Sequence, residues 1–180
     1  MSTYCAYCNS HPEDTFNRHY HDTQYGFPIN ADHALFERLV LEINQAGLSW
    51  LTILKKAEHF QQAYSGFDVE IIAAYSELDR VRLLSDAGII RNRLKINAAI
   101  ENAKRILELQ SKYGSFKNWL DAHRQNNLDE WTKLFKKNFV FTGGEIVKEF
   151  LMSSGYLPGA HEPGCPIYAE IAKQMPAWMA

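Results

Sequence analysis

The chain has 180 residues, of which 46% are hydrophobic and 22% are charged, so it is long and apolar enough for one core and is not a disordered chain. Its formal net charge of −2 excludes a generally basic polyanion binder, so any surface for nucleic acid must be local. The N-terminus has no apolar signal core and no run approaches the ~18 apolar residues of a membrane span, which favours a cytoplasmic protein that does not enter membranes. Its three cysteines favour metal ligands or free thiols over a disulfide framework.

Apolar residues recur at three- and four-residue steps along most of the chain, which predicts an all-α protein with one domain over residues 1–180. Residues 1–30 are predicted to be irregular. Asp32 is expected to cap the first long helix, Ser76 and Asp79 to form a capping box, and Gly114 to end the longest helix. The predicted helices cover about 32–46, 49–64, 68–74, 76–85, 91–112, two within 115–137, 144–154 and 167–175.

The first long helix carries a carboxylate close to its apolar face. Glu42 follows Leu35 by seven residues and Leu39 by three, so it points near the buried side. A carboxylate there must be paired, protonated or used in chemistry, although a boundary glutamate that reaches solvent is the commoner outcome. The helix then breaks at Gly47, and Trp50 follows at once.

A second feature is a helix, a tight glycine turn and another helix. Helix 76–85 leads to Gly88, and the next helix begins with Arg91, Arg93 and Lys95. Free backbone N–H groups at a helix start, aided by nearby cations, suit one DNA phosphate. The spacing fits an ordinary corner between two helices with solvated basic residues equally well.

The two termini carry residues that bind zinc in other proteins. His161 and Cys165 lie four apart in a loop rich in glycine and proline, while Cys5, Cys8 and His21 lie near the N-terminus. A closed tetrahedron of four nitrogen and sulfur ligands is typical of a structural zinc site. Chance pairing stays open, because the two halves are far apart in sequence.

Three segments closely resemble the bacterial 3-methyladenine DNA glycosylase I family. They are Glu42–Trp50 (EINQAGLSW), Tyr20–Pro28 (YHDTQYGFP) and Asp86–Arg93 (DAGIIRNR), in the order of the family and across most of the chain. The resemblance implies a helix–hairpin–helix-type DNA glycosylase domain with a small zinc-bearing lobe, in which residues about 1–30 and 140–180 are joined by the metal.

The same resemblance implies a DNA-repair hydrolase that releases 3-methyladenine from double-stranded alkylated DNA by base excision and does not cut the strand itself. It assigns roles to individual residues, with Glu42 catalytic and expected to be ionised and partly buried. The base-binding residues would be Tyr20, Trp50 and Tyr7, the DNA-contacting residues Gly47, Leu48, Gly88, Arg91 and Arg93, and the ligands of one structural zinc Cys5, His21, His161 and Cys165.

Several alternatives stay open at this stage. Counting back from His21 without an insertion selects Cys8 instead of Cys5 as the fourth ligand. A non-catalytic zinc-stabilised helix–hairpin–helix adaptor, or a hydrolase of free modified nucleosides, would use many of the same residues. A monomer is expected. The family usually has small hydroxyl residues and then an aromatic residue after Gly143, whereas this chain has Gly144, Glu145, Lys148 and Glu149, which can change base selectivity.

Overall fold

The computed structural model describes residues 3–180, and every regular element within that range is helical, as predicted. None of these helices is both long and apolar enough to cross a bilayer. Two short 3-10 turns, Ser65–Phe67 and Ala177–Met179, complete the set. The α-helices in chain order are α1 Tyr4–Ser10, α2 Thr15–Thr23, α3 Asp32–Gln45, α4 Trp50–Leu54, α5 Ala57–Ala63, α6 Val69–Ala73, α7 Glu77–Ser85, α8 Arg93–Tyr113, α9 Phe116–Ala122, α10 Leu128–Asn138, α11 Gly144–Ser153 and α12 Pro166–Lys173.

The prediction of an irregular N-terminal segment is wrong, because two short helices form there. Thr3 caps α1 by accepting a hydrogen bond from the backbone N–H of Ala6. Asp14 caps α2 in the same way through Asn17. A side-chain acceptor at the N-cap satisfies a backbone donor that the helix leaves free. The segment predicted as one helix over 49–64 is also two helices, α4 and α5, which meet at Lys55 and Lys56.

Asp32 is the first residue of α3 and not its N-cap, which is Ala31 and makes no side-chain cap. Its carboxylate serves another helix. One oxygen accepts hydrogen bonds from Gln110 Nε2 at 2.7 Å and from the backbone N–H of Phe116 at 2.8 Å, and the other accepts from the N–H of Lys117 at 3.0 Å. A negative charge at the N-terminus of α9 is also favoured by the helix dipole. Asp32 therefore locks the start of α3 to α9.

Helix α3 is the centre of the protein and packs against α4, α6, α8, α9 and α11. Leu35, Phe36 and Leu39 on its inner face have no solvent exposure. The capping box of Ser76 and Asp79 forms as predicted at the start of α7. Gly114, with φ of 87°, ends α8 as predicted. A set of buried rings fills the space beneath α9, α10 and α11: Phe116, Trp119, Trp131, Phe135, Phe139 and Phe150.

We expect Asp32→Ala to lower the free energy of unfolding by about 1–2 kcal/mol, because two backbone donors at the start of α9 lose their acceptor. Denaturant unfolding followed by circular dichroism measures this change. Asp129→Ala is the matched control, since Asp129 is an exposed first-turn residue of α10. An equal loss in both variants would show that Asp32 acts only through the helix dipole.

Candidate active site

A cavity of about 570 Å³ opens between α1, α2, α3, α4 and α11. That volume suits a purine base with part of its sugar. Its walls combine aromatic rings with carboxylates. They are formed by Tyr4, Tyr20, Tyr25, Glu42, Gln45, Ala46, Gly47, Trp50, Glu145, Ile146 and Glu149.

Glu42 lies in this wall with only 5% of its surface exposed. Within residues 3–180 its carboxyl group makes no hydrogen bond or ion pair. Burial raises the pKa of Glu42 to about 8, with Arg38 acting to lower it and Glu149 to raise it further. The expected burial of Glu42 is therefore present, and its raised pKa favours the protonated form at neutral pH.

Aromatic faces stand beside this carboxyl group. The rings of Tyr20 and Trp50 lie 5.1 Å apart at 59°. The indole Nε1 of Trp50 is buried and has no hydrogen-bond partner among the described residues. Arg38 makes a cation–π contact with Tyr20, and its guanidinium lies 5.0 Å from the ring centroid. The two rings thus offer stacking surfaces, and the indole offers a free donor.

Tyr7 does not join this site, contrary to the sequence prediction. Its hydroxyl donates to Asp14 Oδ2 at 2.9 Å, and its ring stacks on His11 with centroids 4.3 Å apart. Tyr4, three residues earlier on the same helix, lines the cavity instead. Its ring meets Tyr25 edge-on at 5.3 Å. Because α1 buries the face that carries Tyr4, Tyr7 is left on the outer side.

Gly47 and Leu48 form an exposed turn at the rim of the cavity. Gly47 has φ of 81°, a conformation that residues with a side chain rarely adopt. The turn is closed by the N–H of Leu48, which donates to Gln45 O at 2.7 Å, and by Gln45 Nε2, which donates to Leu48 O at 2.8 Å. Leu48 is left 38% exposed, a large apolar side chain in water beside the cavity.

The helix pair α7 and α8 forms with Gly88 in the turn between them, as predicted. Helix α8 begins at Arg93 and not at Arg91, because the side chain of Asn92 caps it by accepting from the N–H of Lys95. A Cβ at Gly88 would lie 2.9 Å from His59 Cδ2, so the close packing against α5 requires glycine. Arg91 and Arg93 are exposed. Arg93 is paired with Glu77 at 3.0 Å, which leaves Arg91 as the less committed of the two cations. The hairpin thus carries the local positive charge expected for one phosphate.

Lys95 connects the helical hairpin (α7, the Gly88 turn and the start of α8) to the rim turn formed by Gly47 and Leu48. This role is not predicted from the sequence. It lies in the first turn of α8 and is only 5% exposed. Its Nζ donates to Asn44 O at 2.8 Å and to Ala46 O at 2.7 Å, the last carbonyls of α3. A cation at a helix C-terminus satisfies free acceptors and favours the dipole. Lys95 therefore holds the turn after Ala46 in a fixed position relative to the hairpin.

The four predicted zinc ligands converge at the termini: the donor atoms of Cys5, His21, His161 and Cys165 all lie within 4.8 Å of one another, and all four residues are buried. The sulfur of Cys165 lies 3.6 Å from Nδ1 of His161 and 3.7 Å from Nε2 of His21. Cys5 Sγ is 3.6 Å from the same His161 nitrogen. We call these residues the terminal cluster.

Both imidazoles of the terminal cluster are oriented by an oxygen on their other nitrogen. His21 Nδ1 lies 2.7 Å from Asp22 Oδ1, and His161 Nε2 lies 2.7 Å from the carbonyl oxygen of Tyr25. Cys8 is buried elsewhere, with its thiol directed at Asn17 O. Cys5 and not Cys8 thus occupies the fourth position.

The model of the methyladenine glycosylase family matches residues 9–138, well over half of the chain. The chain belongs to the methyladenine glycosylase family. It is 36% identical over 168 residues to DNA-3-methyladenine glycosylase 1 of Escherichia coli (strain K12), covering 83% of this chain and 89% of that protein. It is 32% identical over 185 residues to DNA-3-methyladenine glycosylase of Haemophilus influenzae, covering 92% and 98%.

Solved structures of methyladenine glycosylases share the fold. 3-Methyladenine DNA glycosylase I from Staphylococcus aureus superposes with a TM-score of 0.78 at 33% identity, covering 84% of this chain and 90% of that one. A variant of 3-methyladenine DNA glycosylase I in complex with 3-methyladenine gives a TM-score of 0.81 at 32% identity, covering 89% and 96%.

Several cavity or support residues of this methyladenine glycosylase are not predicted from the sequence, among them Tyr4, Tyr25, Arg38 and Lys95. Tyr4 and Tyr25 lie in the segment that the sequence predicts to be irregular, so the pattern does not show that both face the same cavity. Arg38 has no sequence signal, because one buried arginine in a helix resembles a boundary residue. Lys95 looked like one more cation of the hairpin, and only its burial shows that it faces inward.

We expect Lys95→Met to loosen the rim turn, because two carbonyls at the end of α3 lose a charged donor, at about 1–3 kcal/mol for each group left unsatisfied. Hydrogen–deuterium exchange of the peptide containing residues 44–50 should speed up by about tenfold. The control is Lys56→Met, which removes a similar bond to Ala87 O on the surface. Unchanged exchange in Lys95→Met would mean that the turn holds itself through Gln45 and Leu48.

Proposed function

We propose that this methyladenine glycosylase hydrolyses the N-glycosidic bond of 3-methyladenine in alkylated DNA and so begins base-excision repair. The observation that carries the proposal is Glu42, a buried carboxyl group with no partner among residues 3–180, in a cavity walled by Tyr20 and Trp50. Relatives that span nearly the whole chain are named DNA-3-methyladenine glycosylases. A base-release assay on methylated duplex DNA tests the activity directly.

The chemistry needs a site that prefers a cation. A 3-methylated adenine nucleotide is positively charged, and its glycosidic bond is already weakened, so the base departs neutral without a strong acid. Stacking between aromatic faces and a nearby carboxylate favours the extruded cation. The carboxylate of Glu42 stabilises the positive charge at the reacting nucleotide and accepts a hydrogen bond from the exocyclic amine.

The cavity lining also limits how the bond is broken. Neither lysine nor cysteine is among the described residues that line it, so no side-chain amine is placed to form a Schiff base. Water is therefore the acceptor of the sugar, and the enzyme is monofunctional. The ring surfaces and the partnerless carboxyl group also favour an enzyme over an adaptor that would only bind DNA.

Duplex DNA meets the protein on the side of the rim turn. Leu48 is exposed beside the cavity and can fill the gap that a flipped base leaves in the stack. Gly88 and the start of α8, with Arg91 and Arg93, hold a phosphate nearby. Lys95 ties the two features together, so phosphate binding by the hairpin fixes the place at which Leu48 enters. A hydrolase of free nucleosides would need neither feature.

We expect kcat/KM for 3-methyladenine release to rise with pH through about 8, because the reaction uses ionised Glu42 and burial raises its pKa to that value in the free enzyme. Below the midpoint the rise should approach tenfold per pH unit, whereas kcat should depend less on pH, since a bound cation lowers the pKa. Chromatography of released bases, corrected for spontaneous loss, gives both parameters.

Glu42→Gln should abolish this rise and slow release by roughly tenfold or more at pH 9, which is about 1.4 kcal/mol of transition-state stabilisation. Glu101→Gln is the matched control, because Glu101 is paired with Arg105 on the surface of α8. A Glu42→Gln enzyme as fast as the parent would show that the carboxylate is structural.

We further propose that the terminal cluster holds one structural zinc ion. Zn–S bonds of about 2.3 Å and Zn–N bonds of about 2.0–2.1 Å at tetrahedral angles separate sulfur from nitrogen by roughly 3.6 Å. The sulfur–nitrogen distances of 3.6 and 3.7 Å in the cluster fit this spacing. Both imidazoles also carry an oxygen partner on the second nitrogen, as zinc-bound histidines usually do. The ion would close the site and take no part in the reaction.

We expect purified protein to contain about one zinc per chain, because four protein ligands leave no exchangeable position. Elemental analysis after dialysis measures the metal, and a chelator should lower the thermal midpoint. Cys5→Ala should lose the zinc, whereas Cys8→Ala should keep it and serves as the control. A parent protein without zinc, or retention in Cys5→Ala, would contradict the proposal.

A further inference from the structure

The cavity contains a second carboxyl group on a different helix from Glu42. Helix α11 places Glu149 in the wall, where its Oε2 accepts a hydrogen bond from the Tyr25 hydroxyl at 3.2 Å. Glu145, one turn earlier on α11, stands exposed in the same lining. The segment after Gly143 is where the sequence departs from the usual pattern of the family. The departure thus adds negative charge to the wall of the base cavity.

Among the described residues, no cation directly neutralises the charges of Glu42 and Glu149. Arg38 is the buried arginine nearby, and its Nη1 donates to the carbonyl oxygen of Ser153 at 3.0 Å. Its charge lowers the pKa of Glu42 but does not offset the effect of burial, which raises it. Among residues 3–180 neither Glu42 nor Glu149 forms an ion pair. Lys148 is the other cation near Glu149, and it acts only to lower that pKa against the larger effect of burial, which raises it. Glu149 raises the pKa of Glu42 further, so the two carboxyl groups that line this cavity are electrostatically linked.

We infer that Glu149 is a second base-facing, specificity-determining carboxylate, which with Glu42 forms an acidic pair that selects a cationic base over a neutral base of the same shape. The inference rests on the proposed function. A neutral base gains the stacking of Tyr20 and Trp50, but only a cation also gains the attraction of two carboxylates. In a cavity of low effective dielectric this attraction is strong.

Tyr25 positions this second carboxylate. Its hydroxyl is the donor that Glu149 accepts, and its ring is packed edge-on against Tyr4. The bond leaves the other oxygen of Glu149 available to a ligand. Because Tyr25 lies between α2 and α3 and Glu149 lies on α11, the bond also joins both sides of the cavity. Loss of the hydroxyl would leave the charge in place but free to turn away.

If Glu42 and Glu149 interact, the titration of Glu42 should change when Glu149 is replaced, and this can be measured without substrate. Removing the charge of Glu149 should lower the pKa of Glu42, because the two groups repel when both are ionised. Carboxyl-carbon NMR of glutamate-labelled protein follows this titration, and Glu42→Gln identifies the resonance. In Glu149→Gln the Glu42 midpoint should move to lower pH, and in Glu170→Gln, an exposed control on α12, it should stay.

Selectivity for charge is tested with two free bases of nearly the same shape. One is 3,9-dimethyladeninium, a permanent cation, and the other is neutral 3-methyladenine. Tryptophan fluorescence titrations at pH 9 should show that the parent and Glu170→Gln prefer the cation. Glu149→Gln should lose about tenfold of that preference, and Tyr25→Phe a smaller factor. Tyr25→Phe keeps the test decisive if Glu149→Gln does not fold.

The outcomes separate this inference from the proposed function. In one outcome the parent releases 3-methyladenine, but the Glu42 midpoint and the cation preference are unchanged in Glu149→Gln and Tyr25→Phe. This result would overturn the inference and leave the proposed function standing. No release by the parent, with both quantities shifted in Glu149→Gln, would overturn the proposed activity and support an acidic pair that binds a cationic base. If the parent releases 3-methyladenine, and Glu149→Gln shows both the shifted Glu42 midpoint and the tenfold loss of cation preference, the inference and the proposed function are both supported.

Discussion

The burial of one carboxyl group shapes this site more than any other feature. Glu42 lies on α3 next to Leu39 and Ile43, which are buried in the core. Its side chain therefore cannot move to solvent without moving α3. A buried carboxylate without a cation is costly, and the free protein avoids most of that cost by keeping the proton at neutral pH. In the proposed function a cationic ligand offsets this cost, because its charge stabilises the ionised form of Glu42.

The termini matter because they build the wall opposite this helix. His161 reaches the carbonyl oxygen of Tyr25, and its ring lies 4.4 Å from that of His21. Tyr20 and Tyr25 flank His21 in sequence and line the cavity. The contacts that join the C-terminal loop to α2 thus also fix two of the cavity rings. The terminal cluster does not line the cavity, but its contacts help to position Tyr20 and Tyr25, which do.

Sequence reasoning succeeded where the deciding interaction is local. The capping box of Ser76 and Asp79, the stop at Gly114 and the helical stripe of α3 depend on residues within a few positions of one another. It failed where the partner is distant. Asp32 has the chemistry of an N-cap, yet its carboxylate serves α9, whose first residues lie 84 and 85 positions away.

The candidate site divides in the same way. Glu42 and Trp50 were found because a recognisable segment contains both, and Tyr20 lies in another such segment. The choice between Tyr4 and Tyr7 depends on which face of a two-turn helix is buried, and a helix that short leaves too few apolar positions to define a face. Lys95 shows the limit most clearly, since a lysine that caps α3 from 49 and 51 positions away has the same sequence signature as one in solvent.

The cavity also presents polar groups that have no partner among the described residues. Among residues 3–180, the buried indole N–H of Trp50 has no acceptor, and the carboxyl group of Glu42 makes no hydrogen bond or ion pair. A buried donor such as the Trp50 N–H costs about 1–3 kcal/mol relative to a hydrogen-bonded one. A flipped adenine derivative brings ring nitrogens and an amine into this space, so its binding gains hydrogen bonds that the fold itself leaves unmade. In the proposed function, these two groups are therefore the ones that bind the damaged base.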